Sequence, residues 1–255
     1  MSNPSEAEVI QLLADAQRAG GKPTVDPAKL AHLNLDAAYR VSLGQQDLFG
    51  EKVALYKTAV RTDGSPGVAS PIWASRVGQS GPEYVFPAHL DVKGLEFEVG
   101  VVLSQDIEGH DDLDEDAIEA AVDHYFLGIE VVGTRLAPTA NGEKPSPAQS
   151  LADHNSALGY VFGGRYTKGR DVSGMKVTLE IDGKEIDRKP AVPGCGTVLA
   201  SVVAYAKAQH PGLPLKAGTV ITTGALSGCV LLPEGAKGLV VGRLGDEEPV
   251  KFTLQ

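Results

Sequence analysis

The sequence is short of cysteine, tryptophan, basic clusters and long apolar runs, and most of these shortages close off a class of protein. Two cysteines, Cys195 and Cys229, stand among 255 residues with no metal-type spacing around them. That argues against a disulfide scaffold or a zinc site and suits a reducing compartment. Both are read as small buried or half-buried residues, not nucleophiles. No apolar run approaches the ~20 residues needed to cross a bilayer, so no membrane partner is expected. Acidic residues number 33 against 23 basic ones, for a formal charge of −10. An acidic chain without a basic patch is a poor partner for nucleic acid or an anionic membrane. The opening residues, MSNPSEAEVIQLLADAQ, have neither a basic leader nor an uninterrupted apolar core. The expectation is therefore no signal peptide and a cytoplasmic protein.

What is present is enough apolar material, 42% of the residues, for one large core or two small ones. Ser5 and Glu8 fit a capping box, and Val9, Leu12, Leu13 and Ala16 form an apolar stripe, predicting a helix over residues 5–17. A second helix is predicted over 36–49, stopped by Gly50. EKVALYKTAV (51–60) reads as a strand carrying Lys57. Residues 61–87 read as loop-rich and hold the single tryptophan, Trp73. Ile118, Ala121, Val122 and Tyr125 fall at helical spacing behind a run of acids, predicting a helix there. LGIEVVG, LGYVFGG, KVTLEIDGKEI (a hairpin turning at Asp182-Gly183), GTVITTG and the tail from 237 onward read as strands. NGEKPSPAQS reads as surface loop and 197–208 as a helix. Strands outnumber helices and arrive irregularly, which favours an α+β fold over a doubly wound one.

The stretch GLEFEVGVVL (94–103) places Glu96 and Glu98 inside an otherwise apolar strand. Residues i and i+2 of a strand share a face, so the two carboxylates project together, roughly 7 Å apart. Glu130, in FLGIEVVGTRL, is again a lone acid among apolar strand residues. Ionised acids are rarely buried unpaired. Either these faces are wet, or each acid pairs with a base such as Arg135 or Lys57, or a divalent cation sits among the three. All-oxygen ligation would point to Mg²⁺ or Mn²⁺. Nearby in the pattern are Asp153, His154, Asn155 and Ser156, just before a strand. Thr222, Thr223 and Ser227 stand among glycines that let a ligand approach the backbone. A cation, a lysine and small hydroxyls together suit an oxyanion or enolate intermediate.

With these segments in view the chain resembles the 2-keto-4-pentenoate hydratase and 2-oxo-3-enedioate decarboxylase group of the fumarylacetoacetate hydrolase superfamily. The matching segments are EKVALYKTAV, GLEFEVGVVL, IEVVGTRL, LADHNSALGYVFGG and GTVLASVVAYAKAQHPGLPLKAGTVITTGALSG, in the family's order and covering most of the chain from about residue 36 onward. The resemblance implies a metal triad at Glu96, Glu98 and Glu130 and a catalytic lysine at Lys57. It implies catalytic roles for Asp153 and Ser156, and substrate contacts from Thr223, Gly224 and Ser227 in the 216–228 loop. Three segments depart from the family pattern. ASPIWAS stands where an Asp-aromatic-Gly segment is usual, DHNSA replaces DNASS, and GTR replaces DSR after the third glutamate.

The fold implied is a β-rich mixed roll of the superfamily's C-terminal-domain type. A short helical N-terminal region with the first strand (1–62) would precede the metal-binding catalytic domain (63–255), in a homo-oligomer. The activity implied is divalent-metal-dependent addition of water to a 2-hydroxy-2,4-dienoate in aromatic catabolism. Lys57 would hold the substrate carboxylate or shuttle a proton, its pKa lowered by burial, with a plain salt bridge to a glutamate as the competing role. Asp153 and Ser156 would orient water or the 2-oxygen, or else cap a turn. His154 is read as solvated and left outside the site. One alternative is decarboxylation of a 2-oxo-3-enedioate by the same metal chemistry, with Arg61, Arg76 or Arg165 holding the second carboxylate. Another is a binding protein that keeps the metal fold without turnover. An acylpyruvate hydrolase is disfavoured because that branch's His–Glu dyad is not identifiable.

Overall fold

The computed structural model describes residues 3–61, 66–139 and 141–255. The expected division between residues 62 and 63 lies outside the described residues. In chain order the elements are α1 Glu6–Arg18, α2 Leu35–Phe49, β1 Val53–Ala59, β2 Val68–Trp73, β3 Val77–Gln79, β4 Gly94–Leu103, α3 Glu115–Ala120, β5 Val122–Val132, α4 Pro147–Ala152, β6 Ala157–Tyr166, β7 Lys176–Ile181, β8 Lys184–Pro190, α5 Ala200–Ala206, β9 Val220–Ala225, β10 Val230–Leu231, β11 Gly238–Leu244 and β12 Val250–Leu254. Short 3₁₀ turns punctuate them. Among the described residues no helix is long and apolar enough to cross a membrane.

Local chemistry sets the helix ends. Ser5 and Glu8 form the expected capping box, and α1 buries Val9, Leu13 and Ala16. Gly50, at φ 64°, ends α2 in the left-handed conformation that only glycine adopts without cost. The strands form two sheets. The larger runs β2-β1-β9-β4-β5-β6-β3, with β10 also paired to β4, and the smaller runs β12-β11-β7-β8. β4 pairs antiparallel with both β5 and β9, while β1 lies parallel to β9. This mixed, β-rich arrangement is the roll the sequence predicts.

Alternation along β4 and β5 divides the large sheet into two faces. Leu95, Phe97, Val99, Val101 and Leu103, with Leu127, Ile129 and Val131, are at most 1% exposed and belong to the main core. The small sheet packs on this face. A Cβ at Gly242 of β11 would stand 2.7 Å from the Phe97 ring and 2.8 Å from Ile129. Only a glycine lets β11 come down that close. The opposite face carries Glu96, Glu98 and Glu130 beside a smaller apolar cluster of Leu55, Ile72, Phe126, Ala157 and Tyr160.

Three sequence expectations change. Residues 61–87 are not all loop, because VASPIW is a strand, β2, with all six residues buried. Pro71 argues against a strand, but β2 is the sheet's edge, where a missing N–H costs no ladder bond. The predicted helix around 118–125 stops at Ala120, and Val122 and Tyr125 belong to β5. Pairing of β5 along the whole of β4 overrides the local helical spacing. The second half of NGEKPSPAQS is α4, opened by a capping box between Ser146 and Gln149 with Pro147 in its first turn.

Phe97→Ala would remove a fully buried ring between the sheets. It is expected to cost about 3–5 kcal/mol in denaturant unfolding. Leu231→Ala, at 77% exposure, is expected to change stability by no more than about 0.5 kcal/mol.

Candidate metal centre

The β4–β5 register places Glu96 directly opposite Glu130, with Glu98 opposite Gly128. All three carboxylates therefore emerge on one face. One oxygen from each lies within 4.8 Å of the others. Glu98 and Glu130 are completely buried. Both oxygens of Glu98, and Oε2 of Glu130, have no hydrogen-bond partner in the protein. Burial raises the Glu98 carboxyl well above its ordinary range, and Glu130 and Glu96 push it further. Burial likewise pushes Glu130 up to about 7, opposed by Lys57 and assisted by Glu96.

Orphaned carboxylate oxygens converging in a dry interior are costly unless a cation joins them. The donor set fits a hard divalent ion, since it is all oxygen and supplies three negative charges. The wet-face alternative is excluded for Glu98 and Glu130 by their burial. Arg135 does not pair with these acids, because its guanidinium is committed to Asp153.

Lys57 comes from β1 and faces the same side of the sheet, since it stands beside Thr222 of β9, which in turn stands beside Gly100 of β4. Its Nζ donates to Glu130 Oε1 at 2.5 Å and lies 3.6 Å from Glu96. Burial alone would lower its pKa, but Glu130, Glu96 and Glu98 outweigh that and raise it. This reverses the expectation of a lowered value. The salt bridge and the shared face with the triad are therefore both present.

The remaining expected site residues are divided. Ser227 Oγ is buried with no partner, and Gly224, at φ 106°, packs beside Cys195. The Thr223 hydroxyl is turned away, donating to the Val99 carbonyl at 2.7 Å. Strand alternation puts Thr222 on the carboxylate side instead, with its Oγ1 3.4 Å from the Tyr160 hydroxyl. Tyr160 packs against Gly128, whose missing Cβ makes room for the ring. Sequence reasoning passed over Tyr160, although its place opposite Glu130 follows from strand register.

Asp153 does not reach the triad. It is buried against Arg135 and also accepts from Thr134 Oγ1 at 2.6 Å. Ser156 stands in the same segment, its backbone N–H donating to the Asp153 carbonyl at 3.0 Å. His154 is not solvated. It is 2% exposed, with Nδ1 3.3 Å from Ser42 Oγ and its ring edge-on to Trp73. Burial, helped by Arg135, lowers its pKa to about 3, so it stays neutral. Cys229 is exposed and Cys195 half-buried, which corrects the buried reading for Cys229. The exposed chain there is the turn after β9, outside the packed sheet.

The sequence pattern of the fumarylacetoacetate (FAA) hydrolase C-terminal domain matches residues 72–253. The chain belongs to that family. It is 28% identical over 252 residues to 2-keto-4-pentenoate hydratase of Paraburkholderia xenovorans (strain LB400), spanning 92% of this chain and 90% of that one. It is also 28% identical over 117 residues to 4-oxalocrotonate decarboxylase of a Pseudomonas species, 46% of this chain and 44% of that one. The same fold occurs in the solved 4-oxalocrotonate decarboxylase of Pseudomonas putida G7, complexed with magnesium and adipate. The TM-score is 0.78 at 19% identity over the whole of both chains.

Cation binding here displaces protons from the raised carboxyls, so affinity should rise with pH. Isothermal titration with Mg²⁺ is expected to show Kd worsening by up to about tenfold per pH unit below 7 for each proton displaced. Glu98→Gln, which loses one close charge, is expected to weaken binding by at least about tenfold at pH 8. Lys57→Met is expected to tighten it, since the competing ammonium is gone.

Proposed function

We propose that this protein is a divalent-metal-dependent lyase that adds water to a 2-hydroxy-2,4-dienoate, with Mg²⁺ or Mn²⁺ as its metal. The observation that carries the reading is the set of buried, unpartnered oxygens of Glu98 and Glu130 beside Glu96, with Lys57 on the same face. The hydratase relative, alignable over almost the whole chain, supports the choice of substrate class. A cytoplasmic homo-oligomer acting in aromatic catabolism is part of the same proposal.

In this reading Glu96, Glu98 and Glu130 hold the ion. A bound ion would supply Lewis-acid charge to the substrate there. Lys57 Nζ, an ammonium at the edge of the triad, holds the substrate carboxylate or gives a proton to carbon during ketonisation and regains one from the 2-hydroxyl. Ser227 Oγ offers an unspent donor to an oxygen of the substrate or of the incoming water. Thr222 and Tyr160, both buried beside the triad, keep bulk water from that side.

Decarboxylation of a 2-oxo-3-enedioate is the second reading, favoured by the whole-chain fold match to a decarboxylase. It needs a cation for the distal carboxylate. Of the expected candidates, Arg76 packs over the Trp73 ring and reaches Gln17. Arg165 is exposed, and its Nη2 lies 3.4 Å from the Asp123 carbonyl. Neither of these two is directed to the triad by these contacts, and hydration is preferred on the relative alignable over almost the whole chain.

The test is loss of dienol absorbance from a 2-hydroxy-2,4-dienoate with Mg²⁺, and its arrest by a chelator. Lys57→Met is expected to lower kcat by about 10²–10⁴ while retaining the metal. CO₂ release from a 2-oxo-3-enedioate without dienoate hydration would select the decarboxylase. No turnover of either, with Mg²⁺ bound, would select the binding protein.

A further inference from the structure

His154, Asn155 and Ser156 are three consecutive residues with φ of 52°, 49° and 62°. Non-glycine residues visit the left-handed region singly, because Cβ crowds the following carbonyl. A run of three persists only where the surroundings impose it. Here the imposing group is Arg135. Its Nη2 donates to the carbonyl of Asp153, just before the run, and its Nη1 to the carbonyl of Ala157, just after it, at 3.2 Å. Nη1 also reaches the Gly133 carbonyl at 3.1 Å, and Nε donates to the Asp153 carboxylate. One planar guanidinium thus ties both feet of the run to the end of β5, a task suited to its fixed fork of donors.

The crown of the run faces the site. The Asn155 carbonyl accepts from Lys57 Nζ at 3.2 Å. Asn155 Nδ2 donates to Ser70 Oγ at 2.7 Å, which pins the crown to β2. His154, buried against Ser42 and Trp73, braces the same segment from behind. Lys57 is therefore held from two sides, by the Glu130 carboxylate and by a backbone carbonyl that only this conformation aims at it.

We propose that residues 153–157 are a backbone arch, stapled by Arg135, that positions Lys57 through the Asn155 carbonyl, and that Asp153 serves as the counter-ion of Arg135 instead of transferring a proton. Asp153, Arg135 and Asn155 are then positioning residues. The proposal rests on the reading of Lys57 as the lysine that acts on substrate.

Two substitutions at one position separate the arch from its side chain. Asn155→Gly and Asn155→Val both lose the amide bond to Ser70, but only glycine takes the left-handed conformation freely. With the dienoate substrate and saturating Mg²⁺, Asn155→Val is expected to fall at least thirtyfold below Asn155→Gly in kcat. KM and Mg²⁺ affinity should agree within about threefold. Trace acetylation read by mass spectrometry is expected to modify Lys57 faster in Asn155→Val than in Asn155→Gly. Should Asn155→Val not fold, Asn155→Ala carries the same contrast in milder form. Equal kcat and equal Lys57 labelling in the glycine and β-carbon-bearing variants would overturn the arch. An inactive Asp153→Asn beside that equality would return Asp153 to proton transfer. A wild-type protein without dienoate turnover would sink the hydratase reading alone, because the labelling contrast still decides whether the arch holds Lys57.

Discussion

Three carboxylates face one another inside a folded protein, and everything around them is arranged to make that tolerable. Two of the three, Glu98 and Glu130, have no exposure, and three of their four oxygens lack a protein partner. Like charges at such range repel strongly in a medium far less polarisable than water. Lys57 relieves part of this, but one ammonium cannot neutralise three acids. The large sheet supplies the rigidity that holds them together. β4 delivers two acids by alternation, β5 delivers the third through a register that sets it opposite Glu96, and β1 delivers the lysine across β9. The other face of β4 and β5 is locked to the small sheet by Phe97, Ile129 and the gap at Gly242. The acids therefore cannot relax apart without breaking the core, and a divalent cation is the group that makes their convergence favourable.

Much of this was legible from the chain because it depends on periodicity and on residue types that seldom sit in strands. Glu96 and Glu98 share a face by the two-residue repeat alone, and the Asp182-Gly183 hairpin joins β7 to β8 as its turn chemistry requires. What the sequence hid was set by partners distant in the chain. VASPIW looks like a loop because of Pro71, and only its place at a sheet edge makes it a strand. Thr222 and Thr223 are indistinguishable by composition, yet the pairing of β9 sends one hydroxyl to the carboxylate side and the other to a backbone carbonyl. Asp153 reads as a site acid until Arg135, eighteen residues earlier, is seen to hold it. His154 reads as solvated because nothing in its neighbourhood announces Ser42, 112 residues away.

The departures from the family pattern acquire a common explanation in three dimensions. Thr134, of the GTR segment, donates to Asp153. Asn155, of DHNSA, bonds Ser70 of ASPIWAS, and His154 meets Trp73 of that same segment. Differences that lie far apart in sequence are therefore neighbours that contact one another. Substituting one alone would leave a buried polar group without its partner, which is costly. All of these contacts gather around the backbone of residues 153–157.

Exposure grades across the centre and gives it a direction. Glu98 and Glu130 are sealed, whereas the side chains of Glu96 and Lys57 keep 17% and 12% of their surface. The closed end is made by Tyr160 pressed on Gly128 and by Thr222. Glu96 and Lys57 are therefore the members of the centre that solvent reaches. An ammonium at that partly exposed position lowers the repulsion that an anion would meet from the acids. The lysine that offsets the triad's charge is thus also its partly exposed positive charge, which is why its placement by the surrounding backbone matters as much as its presence.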